Sequence, residues 1–125
     1  MGTPAQLAVR QADGTFLACN LQYDGDTALI PLRRHHASRR RALDLLAGGD
    51  LSTLGGRYAT RPPSGGDPVL DKPVHSEAIV GSPRPARVCV DDDALYAMRG
   101  AATQHLYVHE NGRWREEPIV AKWDE

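Results

Sequence analysis

The sequence predicts an α+β domain: two β-hairpins forming an antiparallel sheet, helices packed on one of its faces, and a long Pro/Gly-rich loop outside. Three observations carry this. Asn111-Gly112 separates Leu106-Tyr107-Val108-His109-Glu110 from Arg113-Trp114-Arg115-Glu116, and Asn-Gly best tolerates the two consecutive positive φ values of a type I′ turn. Near the start, Leu17, Cys19, Leu21 and Tyr23 alternate with Ala18, Asn20 and Gln22, a period of two that places the first set on the core face. Between the hairpins the apolar spacing turns helical, and six of the nine prolines then fall within residues 60–86. Missing donors and glycine entropy discourage regular structure there.

A length of 125 residues suits one domain, 1–125, with a single core. Charged residues at 25% against 41% hydrophobic residues place the chain among globular rather than disordered sequences. With Phe16 the only phenylalanine, the core must lean on Leu, Val, Ile and Ala. A net charge of −1 argues against a protein that coats nucleic acid over its whole surface. That average hides an asymmetry: residues 1–63 carry 8 Arg against 5 Asp, and residues 64–125 carry 7 basic against 11 acidic groups. Such a chain can associate head to tail, so a homodimer is open, although two ordinary solvated faces account for it as well.

Cys19 and Cys89 stand far apart in apolar, strand-like surroundings, where a thiol behaves as a small hydrophobe. No apolar run approaches the ~20 residues of a membrane span, and the first residues lack a signal-like apolar stretch. The expectation is a cytoplasmic protein with no membrane partner.

The elements follow in order. Gln6 to Gln11 and Thr15 to Tyr23 flank Ala12-Asp13-Gly14, a three-residue hairpin connection with Gly at the left-handed position. Pro31 is tolerable only in a first turn, so one helix runs from about Leu29 to His36. Ser38 is a good N-cap for a second helix through Ala47, stopped by Gly48-Gly49. A single helix from Leu29 to Ala47 would put Arg39 inside the stripe of Leu32, Leu43 and Leu46, so the break is preferred. Gly48 to Gly56 reads as a helix C-cap followed by a tight Leu51-to-Leu54 turn, its leucines pointing inward. It lacks the Lys-Ser/Thr of a phosphate loop.

Within the long loop, Val74 to Val80 is a candidate edge strand, and Arg87 to Val90 a further strand. Asp91, Asp92 and Asp93 then suit the positive end of a helix carrying Ala94, Leu95, Met98, Ala101 and Ala102 to the core, with Gly100 near its end. After the Asn-Gly hairpin, Ile119 to Glu125 is a tail that Trp123 can pin. No internal repeat is present.

Three motifs suggest a family. Gln22-Tyr23-Asp24-Gly25, Gly49-Asp50-Leu51-Ser52-Thr53-Leu54-Gly55 and Leu106-Tyr107-Val108-His109-Glu110-Asn111-Gly112-Arg113-Trp114, in this order, resemble a family of small uncharacterised phage and prophage proteins. Its members carry an aromatic-Asp-Gly-Tyr-Pro segment, a Leu-Gly-Asp-Ile/Leu-Ser-Ser-Leu-Gly segment and a terminal Tyr-Val-Phe-Glu-Asn-Gly-x-Trp hairpin. The motifs cover about a fifth of the chain, and Asp26-Thr27-Ala28-Leu29 departs from the family's usual Tyr-Pro continuation. The resemblance implies a mobile-element accessory protein that binds and disables a host factor in the host cytoplasm, such as a CRISPR or other antiphage defence component. That implication is one of context, not of chemistry.

The densest chemistry is Arg33-Arg34-His35-His36-Ala37-Ser38-Arg39-Arg40-Arg41. Three arginines in a first helical turn oppose the helix dipole, at about 0.3–1 kcal/mol per charge. Arg33, Arg34, Arg39, Arg40 and Arg41 are therefore candidate partner contacts for an acidic protein surface, or for phosphate if the chain is a weak nucleic-acid binder. The alternative is a solvated face whose arginines pair with Asp44, Asp50 or Asp91 to Asp93. Tyr107 and Trp114, with His109 across from Trp114, form an aromatic face that serves either the core, the better reading, or a partner.

No metal or cofactor site is expected. Asp91 to Asp93 lacks the spacing of an oxygen-ligand loop, and His105 and His109 lie two pleats apart on a strand. Ser76 beside His75 is no nucleophile arrangement, because neighbours in extended chain point apart. No acid/base pair or cofactor fingerprint is present, so the expectation is a non-enzymatic binder.

Overall fold

The computed structural model describes residues 3–23, 25–54, 74–76, 81, 84–91, 93–95 and 103–117. Its first hairpin joins β1 (Ala5–Arg10) to β2 (Phe16–Leu21). Gly14 takes φ +90°, as the three-residue connection requires, and the Asp13 carboxylate accepts from both the backbone N–H and the hydroxyl of Thr15. Two short helices follow, α1 (Leu29–His35) and α2 (Arg39–Ala47). Pro31 sits in the first turn of α1, and the Ser38 hydroxyl caps α2 by accepting from the Arg41 N–H at 3.1 Å. The preferred break is the one observed.

Residues 51–53 correct an expectation. They are not a tight turn but β3 (Leu51–Thr53), which runs parallel to the end of β2 and pairs with β4 (Val74–His75) at the sheet edge. Both leucines do point inward. Buried leucines suit a strand as well as a turn, and the pairing partners that decide between them lie more than twenty residues away.

β5 (Arg87–Cys89) pairs antiparallel with the first half of β2. Asp91 then caps a helical start, its Oδ1 accepting from the Ala94 N–H at 2.8 Å. The second hairpin joins β6 (His105–Glu110) to β7 (Arg113–Glu117) through Asn111 at φ +56° and Gly112 at φ +81°. Residues 96–102, most of the Pro/Gly-rich segment and the tail with Trp123 lie outside the described residues.

The two hairpins do share one sheet, in the order β4-β3-β2-β1-β6-β7, with β5 also on β2. The sheet is mixed rather than antiparallel, because β1 and β6 run parallel, Leu7 beside Tyr107. Alternation cannot distinguish the two directions, since either keeps the same side chains on the same face.

Helices on one face is a further correction. Ala5, Leu7, Val9, Cys19, Leu21, Tyr107 and Trp114 pack against Ala28, Leu32, Ala42, Leu45 and Leu46 of the helical layer. On the opposite face Ala8, Phe16, Ala18, Leu106 and Val108 form a second cluster with Cys89 and Leu95, so the late helical start covers the other side. The central strands are consequently buried on both faces, as strands next to a parallel pairing usually are. Even Gln6 is fully buried, its side-chain amide donating to the Leu95 carbonyl at 3.1 Å. No helix among the described residues is long and apolar enough to cross a membrane.

Candidate functional site

The corner between α1 and α2, residues 36–41, is held from beneath by the second hairpin. Trp114 is wholly buried, and its indole N–H donates to the His36 carbonyl at 2.8 Å. His109, directly opposite Trp114 in the ladder, meets the Ala37 carbonyl through Nε2 at 2.6 Å. A carbonyl only accepts, so the His109 proton sits on Nε2. The two rings meet edge to face with centroids 5.4 Å apart. At the other end of the same segment the Tyr107 hydroxyl donates to the Gly25 carbonyl. Burial, then the negative charges of Glu116 and Asp26, push that phenol up to about 12.

Tyr107 and Trp114 are therefore not available to a partner. They are 1% and 0% exposed, and their polar tips are spent on the chain that carries the arginines. Arg33 is also partly committed, its Nε donating to the Trp114 carbonyl at 3.2 Å. Arg34 has an interaction of its own.

Arg39, Arg40 and Arg41 are exposed and make no ion pair among the described residues. They form the first turn of α2, which contains no acidic residue. Asp50, one expected neutraliser, instead accepts the Asn20 backbone N–H at 2.9 Å, and Asp91 caps a helix. Asp44, one turn further along α2, forms no ion pair with them. Beside the turn His36 is held below its ordinary value of 6.5, first by burial and then by His35 and Arg41.

Sequence reasoning located the arginines but missed the clamp. His109 and Trp114 reach across more than seventy residues, and nothing local marks a histidine that anchors a distant carbonyl. The other histidines are similarly dispersed: His105 pairs with Glu116 at 2.7 Å and His75 contacts the Gly49 carbonyl. Among the described residues no group of His, Cys, Asp and Glu is arranged to hold a metal.

The first two sequence motifs meet in space. Gln22 and Tyr23 donate their backbone N–H groups to the carbonyls of Leu51 and Ser52, both at 2.9 Å. Gly25 passes so close to Thr3 that a Cβ would lie 2.3 Å from its carbonyl oxygen. Gly49, at φ +83°, leaves no room for a Cβ beside the Arg84 carbonyl. These residues are joints of the fold. Beside them an open cleft of about 470 Å³ is lined in part by Asn20, Asp50, Ser76 and Arg84. Among its described lining residues the one carboxylate, Asp50, already serves the Asn20 N–H. No protein-family model, no curated protein and no solved structure matches the chain.

Proposed function

We propose that this chain is a non-enzymatic binding protein that docks the Arg39–Arg41 turn on an acidic protein surface, with Arg34 at the margin. One observation supports it above the rest: three adjacent guanidinium groups project from a corner whose carbonyls are fastened by buried His109 and Trp114, with no carboxylate of their own among the described residues. A fixed backbone reduces the entropy lost on docking, and arginine forks match carboxylates in pairs. The phage-type motifs support a host protein as the partner, such as a component of CRISPR or another antiphage defence, disabled by occupancy.

Nucleic acid is the second class of polyanion such a turn attracts. The burial of Tyr107 and Trp114 argues for protein, because it removes the stacking platform that single strands use. Retention on immobilised polyglutamate and on double-stranded DNA across a salt series separates the two. The expected result is retention on polyglutamate that Arg39→Ala/Arg40→Ala/Arg41→Ala abolishes with the fold intact by circular dichroism. Equal retention of the triple variant overturns the reading. Tighter binding to DNA, with a steep salt slope, replaces it with the nucleic-acid one.

A further inference from the structure

Three strands have an outer side that no other strand covers among the described residues, and they are guarded unequally. β4 is only two residues long. β7 is charged at four of its five positions, Arg113, Arg115, Glu116 and Glu117, and Arg115 bridges Glu110 and Glu117. Short length and charge are the usual protections of a sheet edge. β5 has neither. Val88 is 62% exposed and Val90, just beyond the strand, 69%, the two largest such values among the large apolar residues described.

The segment Arg87-Val88-Cys89-Val90-Asp91 also complements itself. Laid antiparallel on a second copy about a two-fold axis at Cys89, Val88 faces Val90 of the other copy and Arg87 faces its Asp91. Side chains directly opposite in such a pair share a face. Val88 lies across from Leu17 on the helix-bearing side, and extending the strand past its present end at Cys89 would bring Val90 to that side as well. Arg87, across from Ala18, lies on the other side with Cys89, and the same extension would bring Asp91 there. One face thus gains a cluster of four valines, and the other gains two ion pairs. The groups are free to do this. Arg87 makes no ion pair among the described residues, and Asp91 uses Oδ1 for its helix cap, leaving Oδ2 without a partner there.

We propose that β5 is a self-association edge, through which two copies of this chain pair antiparallel across Cys89 and extend the sheet from one molecule into the next. The occupant is a second copy because the charges match end to end and the valines match in the middle. So short an edge belongs to the small, weak class of interfaces, giving a concentration-dependent dimer. It involves none of the arginine turn, so either proposal can fail alone.

Sedimentation equilibrium from about 1 µM to about 1 mM tests it. The wild-type chain is expected to pass from monomer to dimer. Arg87→Asp sets like charges opposite at both ends and should raise the dimer Kd at least about tenfold, as should Asp91→Arg. An equimolar mixture of the two variants restores both pairs and should dimerise like the wild type. Asp91→Arg also removes a helix cap, so Val88→Lys, at an exposed position, is the independent check and should leave a folded monomer. A wild-type chain that stays monomeric, a dimer that Val88→Lys and Arg87→Asp leave intact, or a mixture that fails to re-associate each overturns the proposal.

Discussion

The arginine turn and the hairpin beneath it lie against one corner of the chain and have opposite energetics. In the hairpin, Tyr107, His109 and Trp114 are buried and every polar tip meets a backbone carbonyl. Just along the chain from the His36 and Ala37 carbonyls, Arg39, Arg40 and Arg41 stand in solvent at the positive end of a helix dipole, with no acid in that turn. The hairpin stabilises the fold while the turn destabilises it. A local rule broken on the surface, above a corner where every rule is kept, is where function is expected to reside.

The sharpest way to break this contrast is to remove the hairpin's anchor. Trp114→Ala deletes the indole and strands the His36 carbonyl, and should cost about 3–5 kcal/mol, read by urea unfolding. A loss near 1 kcal/mol would mean the corner holds itself. Tyr107→Phe is gentler, removing only the hydroxyl that serves Gly25, and should cost about 1–3 kcal/mol by the same measurement.

The turn should respond in the other direction. Arg39→Glu and Arg40→Glu place carboxylates at the α2 N-terminus and should each raise stability by about 0.3–1 kcal/mol while abolishing polyglutamate retention. Lost stability with binding retained would invert the contrast.

The smallest effect is a pH dependence at the boundary between the two regions. Burial lowers the His36 pKa in the folded chain below its ordinary 6.5, so the unfolded chain binds the proton first. This contribution is complete above pH 6.5 and is lost as pH falls from there through the folded value. His36→Gln should flatten the slope of melting temperature against pH across that window.

Much of the architecture was legible because it is local. Asn111-Gly112 and Asp13-Gly14 name their turns through positive φ, Ser38 names a helix start through its hydroxyl, and Leu17, Cys19 and Leu21 name a face through their period. The arginine turn was legible for the same reason, being a charge pattern within nine residues. Three features were not. β3 looked like a turn because it is only three residues long and its pairing partners are distant in the sequence. Tyr107 and Trp114 were read as core first and partner contact second, and only burial decided between the two, because strand alternation shows which residues share a face, not what covers it. The antiparallel sheet was wrong in two ladders, where β6 lies parallel to β1 and β3 parallel to the end of β2.

What the chain determines by itself, then, is each turn, cap and periodic face, since these depend on φ preferences and hydrogen bonds spanning a few residues. Which faces are buried, which way β6 runs, and which side chains seize the carbonyls of 36 and 37 were decided only on assembly. Those choices depend on desolvation and on contacts between segments more than seventy residues apart, and no local pattern records the energy of a partner that the chain has yet to meet.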